Sequence, residues 1–60
     1  MTVCLLDKEK GETIDFDDVE RVVTTTVIGK AAFSVCFVYF GDGKRLVFSQ
    51  SAYELVAVFN

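Results

Sequence analysis

Short apolar and β-branched runs, separated by polar turns, divide this chain into strand-like segments whose side chains fall with a period of two on opposite faces. Residues 3–7 form a short apolar run, and residues 13–16 alternate apolar with polar. Residues 22–28, Val-Val-Thr-Thr-Thr-Val-Ile, are all β-branched; such side chains suit a pleated surface and lose rotamer freedom in a helix. Residues 32–40 form the longest predicted strand, apolar on both faces, with Phe33, Val35, Phe37 and Tyr39 on one and Ala32, Ser34, Cys36, Val38 and Phe40 on the other. Gly29-Lys30 is the expected turn before it. A strand closing on Phe48 and a last valine-rich strand over residues 55–59 complete a set of six.

Two hairpins follow from the turn residues. A three-residue loop Glu9-Lys10-Gly11, with Gly11 as a left-handed bulge, pairs Lys8 with Glu12, Leu6 with Ile14 and Cys4 with Phe16. A two-residue loop Asp42-Gly43 pairs Phe40 with Arg45, Tyr39 with Leu46, Val38 with Val47 and Phe37 with Phe48. That register sends Phe37, Tyr39, Leu46 and Phe48 to the core, and Val38, Phe40 and Val47 together to the opposite face.

Two corners interrupt the strands. Asp17-Asp18-Val19-Glu20 breaks the alternation with cap-forming residues, so a helical turn or tight bend is expected there. Ser51 and Glu54 have capping-box spacing, which predicts a second short helical turn; a helix over 52–59 is the alternative to the closing strand. The fold class is therefore all-β with one or two short helical turns, a small antiparallel barrel or bent sheet of about six strands in one domain spanning 1–60.

The two halves of the chain also repeat one another. Gly11, Ile14, Phe16, Glu20 and Val22 align with Gly43, Leu46, Phe48, Glu54 and Val56 across a two-residue gap, which suggests a pseudo-repeat of a ββ unit.

Size limits what such a chain can do. A 60-residue domain buries only about 60% of the surface its unfolded form exposes, so small scaffolds often lean on disulfides, metals or self-association. Two cysteines, Cys4 and Cys36, lie in apolar runs where thiols act as small hydrophobes, and four soft ligands for zinc are lacking. Self-association remains: with one core filled by the aromatic face, Val38, Phe40, Val47, Val3 and Leu5 are left for the opposite faces, and Val38, Phe40 and Val47, which share one of them, are the expected oligomer interface. No secretory signal pattern opens the sequence and the longest apolar run, residues 35–40, is too short to span a bilayer. A soluble, cytoplasmic protein with reduced thiols, away from membranes, is expected.

Charge is uneven. The net charge is −3, yet seven acids against three bases in residues 1–21 leave −4 there, and three bases against two acids leave +1 in the remainder. This balance does not favour generic nucleic-acid binding. Catalysis is poorly served, because histidine is absent and neither cysteine has a cationic setting, so no enzyme, metal or other cofactor is expected. The spacing Asp15-x-Asp17-Asp18-x-Glu20 lacks the glycine and distant glutamate of a calcium loop, and Gly41-Asp42-Gly43-Lys44 lacks the spacing of a phosphate loop.

The pattern of Gly11 through Phe16 followed by an Asp-rich corner and Val-Glu-Arg-Val, echoed by Asp42 through Phe48 and Tyr53 through Val56, resembles the short β-rich proteins of Gram-positive phages and prophages. The resemblance implies a small accessory protein that acts by binding, such as an inhibitor or regulator of a host complex. The expectation is a non-enzymatic, self-associating protein-binding module, with Asp15, Asp17, Asp18 and Glu20 as the surface for an external partner. A single-stranded nucleic-acid binder using Tyr39, Phe40, Lys44 and Arg45 is the rival, and a structural subunit of a larger assembly is a third alternative.

Overall fold

A computed structural model describes residues 1–60 as six antiparallel strands with no helix: β1 (Thr2–Asp7), β2 (Glu12–Phe16), β3 (Val19–Val27), β4 (Phe33–Phe40), β5 (Arg45–Ser49) and β6 (Tyr53–Phe59). They form two three-stranded sheets, β2-β1-β6 and β3-β4-β5. The strand count and the closing strand follow the sequence pattern. The sheets do not close into a barrel, and neither corner is helical. There is thus no helix long and apolar enough to cross a membrane.

Both corners are tight bends through which a strand leaves one sheet and enters the other. At Asp17-Asp18 the chain turns with Asp18 at φ 59°, a left-handed conformation that short polar side chains tolerate. Val19 and Met1 exchange two backbone hydrogen bonds of 2.9 and 2.8 Å, so the chain is still held to the start of β1 as it bends. The second corner is a turn closed by Ala52 N–H donating to the Ser49 carbonyl at 3.1 Å, with the hydroxyls of Ser49 and Ser51 2.8 Å apart. The expected capping box does not form there, because Glu54 is already in β6, opposite Leu6.

Each hairpin is offset by one residue from the expected register, for a reason visible in its loop. In the first, Asp7 pairs with Glu12, Leu5 with Ile14 and Val3 with Phe16, around the four-residue loop Lys8-Glu9-Lys10-Gly11. The Asp7 carboxylate accepts from the N–H groups of Glu9 and Lys10 at 3.0 and 3.2 Å, and Gly11 N–H donates to the Asp7 carbonyl at 2.8 Å. In the second, Phe40 N–H donates to the Lys44 carbonyl, which leaves Gly41-Asp42-Gly43 as a three-residue loop. The pairs are Tyr39 with Arg45, Val38 with Leu46, Phe37 with Val47 and Cys36 with Phe48. Gly11 and Gly43 hold φ of 69° and 87°, the region in which glycine avoids the clash other residues incur.

A slip of one residue turns every side chain of a strand over. The buried core is therefore Val3, Leu5, Val19, Cys36, Val38 and Phe48, with Phe16, Val22, Phe40, Leu46, Tyr53 and Leu55 packed around it. Phe37 and Tyr39 lie outside, and Leu6 and Cys4 turn away from the core on β1. Three edge strands and the end of β4 supply the core aromatics: the Phe48 and Tyr53 rings meet edge-on at 6.0 Å, and Phe16 and Phe40 are tilted at 6.1 Å. The centre of β4 carries the smaller Cys36 and Val38 beneath them.

The internal repeat appears in the hairpins. Ile14 and Phe16 stand opposite Leu5 and Val3 just as Leu46 and Phe48 stand opposite Val38 and Cys36. In the third strand of each half the equivalence slips: the ladder matches Val22 with Leu55, because both oppose the central buried residue, and not with Val56. Bulges at Glu20 and Val56 account for the offset. Each half also sends its third strand into the other half's sheet.

Candidate binding face

The outer face of β3-β4-β5 is built in rows by the ladder. Arg21, Tyr39 and Arg45 form the first row, Val23, Phe37 and Val47 the second, Thr25, Val35 and Ser49 the third, and Val27 and Phe33 the last. None of these residues is acidic. The Phe37 and Tyr39 rings stack at 6.4 Å with planes 19° apart. The Arg21 guanidinium lies 4.4 Å from the Tyr39 ring centre and that of Arg45 5.7 Å from the Phe37 ring centre. Such cation–π contacts hold the two charges at the edge of an apolar surface, and contribute roughly 0.5–1 kcal/mol each where exposed. Phe33 and Val47 are 49% and 46% exposed, respectively.

Outward on β2-β1-β6 stand Cys4 between Asp15 and Ala57, and Leu6 between Thr13 and Glu54. This face carries the carboxylates of Asp15 and Glu54, and its one aromatic, Phe59, stands opposite Thr2 at the end of the ladder. Asp15 pushes the Cys4 thiol above its ordinary value of 9.0, first by accepting its hydrogen bond and further by repelling the thiolate, with desolvation adding to both. Burial pushes the Cys36 thiol up as well. Both thiols are free; Cys36 is sealed in the core while Cys4 is half-buried on the outer face.

An apolar cleft of about 290 Å³ opens between β2 and β5, lined by Leu5, Ile14, Phe16, Leu46, Val47, Phe48 and Tyr53. Tyr53 is the one lining residue with a polar side-chain atom, so the cleft offers little to orient a polar substrate.

The residues expected to act together are separated by these registers. Val38 is fully buried and Phe40 lies with it on the inner face, whereas Val47 faces outward beside Phe37, so the three do not share one surface. Tyr39 and Arg45 do stand together, but Phe40 is turned inward and Arg21 takes its place beside them. The acids do not converge: Asp15 sits beside Cys4, Asp17 accepts a 2.8 Å bond from the Thr2 hydroxyl, Asp18 supplies its carbonyl to the Gly41 N–H at 3.0 Å, and Glu20 is the bulge residue of β3. No three cysteine or carboxylate groups gather as a metal-holding set. Sequence reasoning missed Arg21, Val23 and Phe37 as surface residues; the cross-strand row Arg21-Tyr39-Arg45 becomes visible only once both loop lengths are known. No protein-family model, curated relative or solved structure matches this chain.

Proposed function

We propose that this chain is a non-enzymatic, self-associating protein-binding module whose docking surface is the outer face of β3-β4-β5. The occupant is a protein surface bearing apolar groups with carboxylates at its rim, which would meet Arg21 and Arg45 while covering Phe37, Tyr39 and Val47. The observation that carries this reading is the stacked Phe37–Tyr39 pair flanked by two arginines, on a face whose cross-strand rows contain no acid and whose one neighbouring carboxylate, Glu20, stands at the bulge beside Arg21. Aromatic and arginine side chains are the types enriched where proteins meet. A small binder of this kind fits the role of a phage-type inhibitor or regulator of a host complex.

Capture of partners from the host with paired variants tests the assignment. A protein retained by the wild type and by Asp15→Asn/Asp17→Asn, but released by Arg21→Glu/Arg45→Glu, supports the outer face. The opposite pattern would move the binding surface to the acidic corner. The same face also favours a second reading, because stacked rings beside arginines can receive unpaired bases. That reading requires oligonucleotide binding that weakens steeply with salt and disappears in Tyr39→Ala/Phe37→Ala.

A further inference from the structure

An exposed strand edge is a template for another chain, and proteins blunt edges with bulges, charges or brevity. This molecule has four free edges, and three are guarded. β3 is bulged at Glu20 and β6 at Val56, while the five residues of β2 include Glu12 and Asp15. β5, Arg45-Leu46-Val47-Phe48-Ser49, pairs with β4 without a bulge and carries no carboxylate; its only charge is at its first residue. It also forms one wall of the apolar cleft.

We infer that β5 is the self-association edge, and that its occupant is β5 of a second copy, antiparallel and centred on Val47. The inference rests on the self-associating reading above and specifies how the copies meet. Three observations on β5 favour a second copy. First, the segment is self-complementary: centring on Val47 places Val47 opposite its counterpart, Leu46 opposite Phe48 and Arg45 opposite Ser49, so no like charges face each other. Second, the hydrogen bonds face the right way. Phe40 N–H bonds to the Lys44 carbonyl and Gln50 N–H to that of Ser34, and the antiparallel alternation between them turns the backbone groups of Leu46 and Phe48 toward β4 and those of Arg45, Val47 and Ser49 toward the free edge. A centred pair would therefore exchange two N–H···O bonds at Val47. Third, Val47 is 46% exposed, whereas its inward neighbours Leu46 and Phe48 are packed against the core. The product is a six-stranded sheet, with two copies of the Phe37–Val47 surface side by side and a two-fold axis between them. An isologous contact of this kind closes at the dimer.

Val47→Pro is the decisive variant, because it deletes an N–H that the monomer's ladder does not use and proline is accepted at such edge positions. Sedimentation and light scattering should show a dimer for the wild type and about a thirtyfold weaker association for Val47→Pro, from the two symmetric bonds removed, with an unchanged far-ultraviolet spectrum. In a Cys4→Ser background, Val47→Cys should cross-link to itself on mild oxidation, and Arg45→Cys should cross-link to Ser49→Cys but not to itself. A wild-type dimer that Val47→Pro leaves intact, or that cross-links in another register, overturns the β5 edge while leaving self-association standing. A wild-type monomer at tens of micromolar overturns both.

Discussion

The two sheets of this protein share one core yet present opposite exteriors. On β2-β1-β6 the outward residues are Thr2, Cys4, Leu6, Thr13, Asp15, Glu54 and Ala57, with Phe59 at one end; on β3-β4-β5 they are Arg21, Val23, Thr25, Val27, Phe33, Val35, Phe37, Tyr39, Arg45, Val47 and Ser49. The first is an ordinary solvated surface. The second has the composition of an interface core, with charge confined to one end. Since a two-sheet core needs only one apolar face per sheet, the second apolar face on β3-β4-β5 is what the proposed docking role rests on.

The sharpest way to break this contrast is to exchange polarity across β4 and β5. Val38→Asp places an unpaired carboxylate in the sealed core and should abolish cooperative folding, a loss of at least ~3 kcal/mol, whereas Val47→Asp should change the monomer's stability by about 0.5–1 kcal/mol. Urea unfolding measures both, and equal effects would mean that the faces are assigned the wrong way round. A smaller effect tests whether the hairpins of the two halves are equivalent. Gly11→Ala and Gly43→Ala should each cost about 1 kcal/mol through the left-handed backbone, and a large difference between them would show that only one loop holds its register.

Charge reversal sharpens the comparison without touching the core. Arg21→Glu/Arg45→Glu gives the second face the sign of the first, and should eliminate partner capture while lowering stability by no more than the ~1–2 kcal/mol that two exposed cation–π contacts supply together. The smallest effects concern the thiols. Both have folded pKa values raised above 9.0, so the unfolded chain ionises first as pH rises. Their contribution to stability is complete below about pH 9 and declines above it. Asp15→Asn should lower the Cys4 pKa and speed its alkylation at pH 8, with Cys36 remaining unreactive until the protein unfolds.

How far the sequence revealed this arrangement depended on what each signal measured. Apolar runs, β-branched content and the alternation over residues 13–16 located the six strands, and Gly11, Asp17-Asp18 and Gly43 marked the bends. What escaped was a single residue of loop length in each hairpin. In the first, the Asp7 carboxylate captures two backbone N–H groups and holds the loop one residue wider, a choice that the residue types around Gly11 do not decide. In the second, Gly43 closes a three-residue loop where Asp-Gly also suits a two-residue one. Ordinarily the hydrophobic pattern would correct such a slip. In β4 it could not, because Phe37 and Tyr39 look at least as fit for burial as Cys36 and Val38. The expected interface inherited that ambiguity: Val38 and Phe40 went inside, Val47 stayed outside, and Phe37 came to join it.

The crossing of third strands between halves has a consequence for the exposed stretch from Ile28 to Ala32 that separates them. Cleaving there would leave two fragments that each retain a hairpin but have lost the flanking strand that completes its sheet. Neither should hold a stable structure in isolation, whereas mixing them should regenerate the native spectrum, as two interlocking hooks regain shape only when engaged.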